Sequence, residues 1–353
     1  MKVIHFTNWA PRKSGMYESV KDQIKYERRE GVDSQLVDPH DHYKEGTREG
    51  KAVIDDGWFS PIPWKQAEEA DVWVLHSFIP EALKPLFDKK VTVAVLHGPN
   101  EHMLLKEWTS GRKEDSFNLH VNILWRYDAT VVLNKHEEDI MKLYDEKGRL
   151  HYIPNSIDLE RYTADEVFPW KYKNHPAILS CDVPRLEKLP THIIWAMPQI
   201  VEKLPDARLN VFSLTLEPIS TFRNIFCRSK EWKLHSLCEN VQLEINDLRP
   251  FMKGGDIGFN NNMSGIASRV SMEMMAMGIP VVSFGGDYTK YVAKIWDLDS
   301  IAEQVVKCWE DLTRTGSRLK RDTIKYAQEH FDRGKEVKKY VALYKELLEK
   351  KTS

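Results

Sequence analysis

Between Asp256 and Gly286 the chain reads DIGFNNNMSGIASRVSMEMMAMGIPVVSFGG, residue types that suit the binding of phosphate or sugar hydroxyls. Ile257-Gly258-Phe259 is a short apolar strand. Asn260 to Gly265 is a polar loop of Asn, Ser and Gly that can expose backbone N–H groups without steric conflict. From Ile266 to Met277 the chain holds good helix formers, with Val270, Met274 and Met277 spaced for one buried face. Gly278 stops that helix and Pro280 forbids its continuation. Val281-Val282-Ser283-Phe284 then reads as a buried strand closed by Gly285-Gly286. Strand, loop, helix and strand in this order set the free N–H groups of a helix N-terminus beside a polar loop.

The same arrangement opens the chain. Lys2 to Thr7 is a strand, Asn8 to Gly15 a loop, and about Met16 to Glu30 a helix ended by Gly31. The loop therefore lies at the carboxyl edge of a parallel sheet, where such folds bind ligands. Val72 to Leu75 and Val91 to Leu96 are apolar strands of the kind buried on both faces. Each ends in a histidine, so His76 and His97 project near the ligand edge. A histidine capping a strand is otherwise a hydrogen-bonded structural residue, and that reading suits His76. Tyr127 to Leu133 and Leu150 to Ile153 supply further strands before Pro154-Asn155. After a polar linker around Thr163 to Asn174, strands at Ala177 to Cys181, Arg208 to Leu214, Val241 to Ile245 and Ile257 to Asn260 predict a second parallel sheet. A helix from about Thr191 to Lys203 lies between the first two.

At 353 residues the chain suits two domains, and 42% apolar with 29% charged residues is a globular composition. Residues 1–161 carry 23 Lys and Arg against 28 Asp and Glu, leaving 28 against 25 for the remainder, so neither half argues for nonspecific nucleic-acid binding. No apolar run is long enough to cross a bilayer, and Met1 to Phe6 enters a strand without a signal peptide's basic and apolar regions. A cytoplasmic protein is expected. Cys181, Cys227, Cys238 and Cys308 lie far apart without metal-ligand spacing, which predicts reduced, mostly buried thiols.

The segment SMEMMAMGIPVVSFGG is similar to the donor-site signature of family 4 glycosyltransferases, a retaining group in which a Glu precedes an Ala-x-Gly-x-Pro-Val-Val run. Asp128-Ala129-Thr130-Val131-Val132 with Ile153-Pro154-Asn155-Ser156-Ile157-Asp158-Leu159-Glu160-Arg161-Tyr162 resembles the family's interdomain stretch, and Leu96-His97-Gly98 its sugar-facing strand end. The resemblance implies an α/β GT-B fold: two Rossmann-like parallel-sheet domains facing each other across a cleft, with the last helix crossing back onto the first domain. On that basis 1–162 forms the acceptor-side domain, 163–334 the donor domain and 335–353 the returning helix. The implied activity is transfer of a sugar, with retention, from a nucleoside diphosphate sugar to a hydroxyl, with a UDP-sugar as donor and no separate cofactor.

Site residues follow by position. His97 faces the donor sugar. Ser14 and Gly15 match the loop under the donor phosphates, although with one Gly a plain surface turn is the other reading. Asn262, Ser264, Gly265, Ile266 and Ala267 form the donor loop, and Glu273 bonds the donor ribose. The bland reading of Glu273 is an exposed pair with Arg269 at i, i+4, worth only a few tenths of a kcal/mol. Lys188 matches the family's diphosphate-binding Lys. The matching Arg position holds Val183, while Arg185 lies two residues on, and its guanidinium suits phosphate oxygens. The family's first Glu, eight residues before Glu273, is here Gly265. That departure keeps a second class open: a nucleotide-sugar-binding protein, impaired in catalysis, on the same fold. A related sugar-nucleotide epimerase is a third.

The acceptor is not legible. Lipid-linked sugar, protein, small metabolite and a hydroxylated DNA base all stand, with the acidic first domain against DNA unless a patch such as Arg112-Lys113 serves it. Trp58-Phe59-Ser60-Pro61-Ile62-Pro63-Trp64-Lys65 is either an acceptor wall, a peripheral membrane contact or a loop packed on the domain. His40, Asp41 and His42 near Asp38 form a solvated loop rather than a metal site. Asp297-Leu298-Asp299 has the Asp-x-Asp form of a metal-binding motif, but Asp299-Ser300 precedes a helix, so Asp299 is expected to cap it. Transfer without a divalent metal is expected.

Overall fold

The computed structural model describes residues 1–7, 15–38, 52–54, 57–59, 62–76, 81–97, 126–165, 168, 170–182, 188, 190–213, 237–242, 245, 247–263 and 265–352. The chain divides into two compact units, Met1–Ser156 with Arg333–Ser353, and Ile157–Asp332. Each is built on its own parallel sheet.

In the first unit seven strands pair in the order β5-β2-β1-β6-β7-β8-β9, all parallel. These are β1 (Lys2–Phe6), β2 (Asp33–Asp38), β5 (Ile62–Pro63), β6 (Val72–Leu75), β7 (Val91–Leu96), β8 (Ala129–Val132) and β9 (Leu150–Tyr152). A sheet covered on both faces needs apolar residues at consecutive positions, and Val3, Ile4 and Phe6, like Val72 to Val74, are fully buried. The single polar side chain inside β1, His5, is fully buried with them. The segment from Asp33 to Trp64, polar in composition, contains structure: β2 buries Leu36 and Val37, β3 (Ala52–Ile54) pairs antiparallel with β4 (Gly57–Phe59), and β5 adds to β2 at the sheet edge, where Pro63 is tolerated. The residues His40, Asp41 and His42, and Arg112-Lys113, lie outside the described residues, as do Ser60 and Pro61. Helix α1 (Gly15–Arg29) follows β1, and α2 (Lys135–Met141) follows β8 with Asn134 as its cap.

In the second unit the order is β12-β11-β10-β13-β14-β15, again all parallel. The strands are β10 (Ala177–Ser180), β11 (Arg208–Phe212), β12 (Cys238–Gln242), β13 (Ile257–Asn260), β14 (Val281–Ser283) and β15 (Tyr291–Val292). Helix α3 (Pro190–Lys203) joins β10 to β11, α4 (Arg249–Lys253) precedes β13, and α5 (Arg269–Ala276) joins β13 to β14. Helix α6 (Leu298–His330) is interrupted by Gly316, whose φ of 14° and ψ of −89° are not helical. The last helix, α7 (Arg333–Thr352), belongs to the first unit, where Val337, Tyr340, Tyr344 and Leu347 join the core formed by β1, β6 and β7. Among the described residues no helix is long and apolar enough to cross a membrane.

Candidate functional site

In the second unit the carboxyl ends of β10, β13 and β14 lie side by side, with α5 rising from the loop after β13. That loop is pinned from within. The Asn260 side-chain amide lies 2.9 Å from the Ile266 carbonyl and 3.3 Å from Ser283 Oγ, and bonds the Tyr288 hydroxyl, while its own oxygen accepts from the Asn262 N–H at 3.2 Å. Asn262 is buried, its amide 3.4 Å from the same Ile266 carbonyl. These side chains hold the loop's shape, and Ile266 and Ala267, half-buried, remain outside the helix.

Helix α5 begins at Arg269, three residues after the start expected at Ile266. The reason is local: the Ile266 carbonyl is engaged by Asn260, and Ser268 takes the cap, its Oγ accepting from the Ser271 N–H at 3.2 Å. Gly278 ends the helix at φ 84°, as its sequence position predicts. The burial differs from a one-faced helix, because every residue of α5 except Val270 is buried. Glu273 is therefore not on an exposed surface. Its Oε1 accepts from Arg269 Nε at 2.8 Å, and the two side chains are only 6% and 8% exposed.

Gly265 has φ 66°, and a Cβ there would stand 2.6 Å from the Cα of Gly285. Gly286, at φ 92°, would place a Cβ 2.5 Å from the Gly265 carbonyl oxygen. The loop after β13 and the end of β14 thus touch backbone to backbone, and three glycines permit it. A carboxylate side chain at 265 has no room.

At the end of β10, Ser180 Oγ accepts from the Asn261 amide at 2.8 Å, and Asp182 Oδ1 lies 3.3 Å from Lys188 Nζ. Lys188 is half-buried, so its ammonium stands at the strand end with one carboxylate beside it. Burial, followed by the nearby Asp182 and Glu273, pushes the Cys181 thiol well above its ordinary range, which leaves it protonated and a poor nucleophile. Arg185, Val183, Ser14 and Ser264 lie outside the described residues, as does Gly98. Gly15 is exposed at the first position of α1.

The Asp-x-Asp segment caps a helix, but through its other carboxylate. Asp297, not Asp299, is the N-cap of α6, its Oδ1 accepting from the Ser300 N–H at 2.9 Å. Asp299 sits in the first turn, where its charge favours the helix dipole. Asp297 has the extended backbone of a cap, φ −111° and ψ 98°, which lets its side chain reach Ser300.

In the first unit, His97 does not stand alone. Its Nε2 is 2.7 Å from His76 Nδ1, His76 Nε2 is 3.0 Å from His5 Nδ1, and His5 Nε2 is 2.8 Å from Glu27 Oε2. Four elements supply the row: β1 gives His5, the ends of β6 and β7 give His76 and His97, and α1 gives Glu27. Burial, with His97, His5 and Arg333 adding to it, holds the His76 imidazole well below the ordinary histidine range. A histidine kept neutral in the fold but free to protonate when unfolded makes stability fall as pH drops below about 6.5, by up to about 1.4 kcal/mol per pH unit. Above that pH the contribution is constant. Urea unfolding of the first unit at pH 7.0 and 5.5 should show this loss, and His76→Gln should flatten the slope by that amount; an unchanged slope would remove His76 as its source.

No protein-family model matches the sequence, and no curated protein matches it. Solved structures do. Sucrose-phosphate synthase from Thermosynechococcus elongatus superposes with a TM-score of 0.74 at 13% identity, over 98% of this chain and 99% of that one. A glycosyltransferase from Rickettsia africae ESF-5 gives 0.73 at 16% identity, over 98% of both chains. The Anabaena protein HepE, in complex with UDP-glucose, gives 0.71 at 12% identity, over 97% of this chain and 99% of that one. The chain therefore has the two-domain α/β GT-B fold over almost its whole length.

Proposed function

We propose that this chain is a glycosyltransferase that moves the sugar of a nucleoside diphosphate sugar, a UDP-sugar in the simplest case, to a hydroxyl acceptor with retention of configuration. One observation carries the reading: on the GT-B fold, Lys188, the α5 N-terminus and Glu273 belong to the carboxyl edge of the second sheet, where open parallel sheets bind ligands. A departing nucleoside diphosphate gains negative charge, and a cation with helix N–H donors lowers the barrier by stabilising it. Lys188 and α5 supply these, with Arg185 as a second cation. Glu273 takes the donor ribose, and His97 the sugar. HepE, similar in fold, is seen with UDP-glucose, which supports the donor class.

Transfer needs no divalent metal in this reading, because the Asp297 carboxylate is engaged by Ser300 and Lys188 can meet the diphosphate. The described cysteines Cys181, Cys238 and Cys308 are free thiols, in keeping with a reducing cytoplasm. A second reading, nucleotide-sugar binding without transfer, is favoured by Gly265, whose contact with Gly285 leaves no space for the carboxylate found in the family.

A panel of nucleotide sugars, incubated with and without acceptors and a chelator, separates the two readings. Release of free nucleoside diphosphate that rises with an acceptor and survives chelation is the expected result, and NMR of the product anomer tests retention. Binding without release supports the second reading. Lys188→Ala should weaken nucleoside diphosphate binding by about 1.5–3 kcal/mol, the range for hydrogen bonds to charged groups. Unchanged affinity in calorimetry would remove Lys188 from the site.

A further inference from the structure

We propose that His5, His76 and Glu27 form a buried proton relay that sets which ring nitrogen of His97 carries its proton, so that His97 can take up a proton at the ligand edge while the charge comes to rest beside Glu27. The inference deepens the functional reading above, which places His97 against the donor sugar, and rests on it only for the identity of what meets His97.

Heavy-atom positions fix the logic. Glu27 is fully buried and surrounded by donors: Ser34 Oγ at 2.6 Å and His5 Nε2 at 2.8 Å from Oε2, and the Gln23 amide and Tyr344 hydroxyl at 2.9 Å each from Oε1. An oxygen pair meeting four donors is an acceptor throughout, so Glu27 is a carboxylate and His5 Nε2 carries a hydrogen. Burial pushes the Glu27 carboxyl up, but His5 and the hydrogen bonds from His5, Ser34 and Gln23 outweigh it and hold it below the ordinary glutamate range.

Within the row one neutral arrangement satisfies the three hydrogen bonds, and with one more proton the charge can sit on His97, His76 or His5; the neutral arrangement and the one charged at His5 are the end states of the relay. In the first, His5 Nδ1 accepts from His76 Nε2–H, and His76 Nδ1 accepts from His97 Nε2–H; His97 Nδ1 then bears a lone pair. In the second, His5 is an imidazolium whose Nδ1–H donates to His76 Nε2, His76 Nδ1–H donates to His97 Nε2, and His97 Nδ1 bears the hydrogen. The two differ by one proton. It enters at His97 Nδ1 from an O–H or water; His97 Nε2–H passes to His76 Nδ1, and His76 Nε2–H to His5 Nδ1. Three N–H bonds form and two break within the row, together with the bond of the proton's source. His76 is singly protonated in both arrangements, as its buried position demands.

The surroundings favour the charge at the Glu27 end. Arg333 on α7 faces His76 and opposes a charge there, while its own guanidinium is held by Ser19 Oγ and the Ser156 carbonyl, each at 2.7 Å. Tyr340 and Tyr344 of α7 are neutral because burial, first of all, pushes both phenols up, with Glu27 adding to it. Glu336, also on α7, acts on Tyr340. Glu27 is the carboxylate bonded to His5. His5, His76 and Glu27 are positioning residues; His97 is the one that meets ligand.

The test uses full-length, ligand-free protein labelled with ¹⁵N-histidine, in which long-range ¹H–¹⁵N spectra report each tautomer as pH is lowered. Expected is Nε2–H on all three histidines at high pH. A single shared midpoint should follow, at which His5 gains its second hydrogen and His76 and His97 change to Nδ1–H. Glu27→Gln should lower that midpoint by about one pH unit or more, since it removes the opposite charge. Separate midpoints, Nδ1–H on His76 at high pH, or an unmoved midpoint in Glu27→Gln would overturn the relay. Because the spectra of the parent protein decide the first two outcomes, a variant that fails to fold does not protect the idea. No transferase need be active for this measurement. With transfer established, the acid limb of its pH–rate profile should follow the same midpoint, and a limb that stays put in Glu27→Gln would also count against the relay.

Discussion

Glu273→Ala should lower the unfolding free energy of the second unit by about 3–5 kcal/mol, the cost of breaking a buried ion pair by removing one partner. The Arg269 guanidinium lies 2.8 Å from Glu273 Oε1 with side chains 8% and 6% exposed, so solvent cannot replace the lost carboxylate. An exposed i, i+4 pair would cost only tenths of a kcal/mol. Replacing both partners by apolar residues, Arg269→Met with Glu273→Leu, should restore most of the stability, because the cost lies in the stranded charge rather than in the pair itself. Denaturant unfolding of the two single variants and the double variant checks this. A Glu273→Ala cost under about 1 kcal/mol would mean that the pair is solvated. If Glu273 also meets the donor ribose, the milder Glu273→Gln should raise the Kd for a UDP-sugar well beyond any change in melting temperature.

Gly265→Glu, which sets a carboxylate where the glycosyltransferases that the sequence resembles carry their first Glu, should destabilise the second unit and leave transfer no faster. The left-handed backbone alone costs a non-glycine residue about 1–2 kcal/mol. The new Cβ would also stand 2.6 Å from Gly285 Cα and 2.9 Å from its backbone N and C, atoms that cannot swing aside as a side chain can. Gly265→Ala should show most of the same loss, since the overlap begins at Cβ. Melting temperatures for both, beside rates of nucleoside diphosphate release, decide the matter. A stable Gly265→Glu with increased transfer would mean that the loop yields and that a carboxylate was the missing part.

The strands of the second unit were largely legible, because β10, β13 and β14 are short, mostly apolar runs between Gly, Pro or polar punctuation, and Gly278-Ile279-Pro280 marks a helix end by backbone chemistry alone. What escaped was set by contacts between elements. Asp297 and Asp299 both suit a cap in sequence, and the helix start at Leu298 makes Asp297 the one used. The start of α5 moved because Asn260, six residues earlier, holds the Ile266 carbonyl. Charged residues at i, i+4 predict an exposed face, and nothing local says that Arg269 and Glu273 are buried among methionines. The strand at Asp33 was hidden by its polar ends, and it completes a sheet through pairing with β1.

The histidine row shows the same limit most clearly. His76 and His97 were visible as strand ends, but His5 looks like an ordinary polar residue in a strand and Glu27 like one of several acids in a helix. The order β1-β6-β7 brings the three histidines together, and that adjacency is a property of the sheet rather than of any one segment.

The first unit is made from both ends of the chain, with residues 157–332 inserted between its two parts. During synthesis its sheet is complete by β9, yet the helix that contributes Val337, Tyr340 and Tyr344 to its core is translated only after the whole second unit. Until then the apolar side awaiting α7 is open and Glu27 lacks the Tyr344 hydroxyl. The first unit is thus completed only after the second, and a nascent chain released between the two would hold a self-contained second unit joined to a first that still exposes its core.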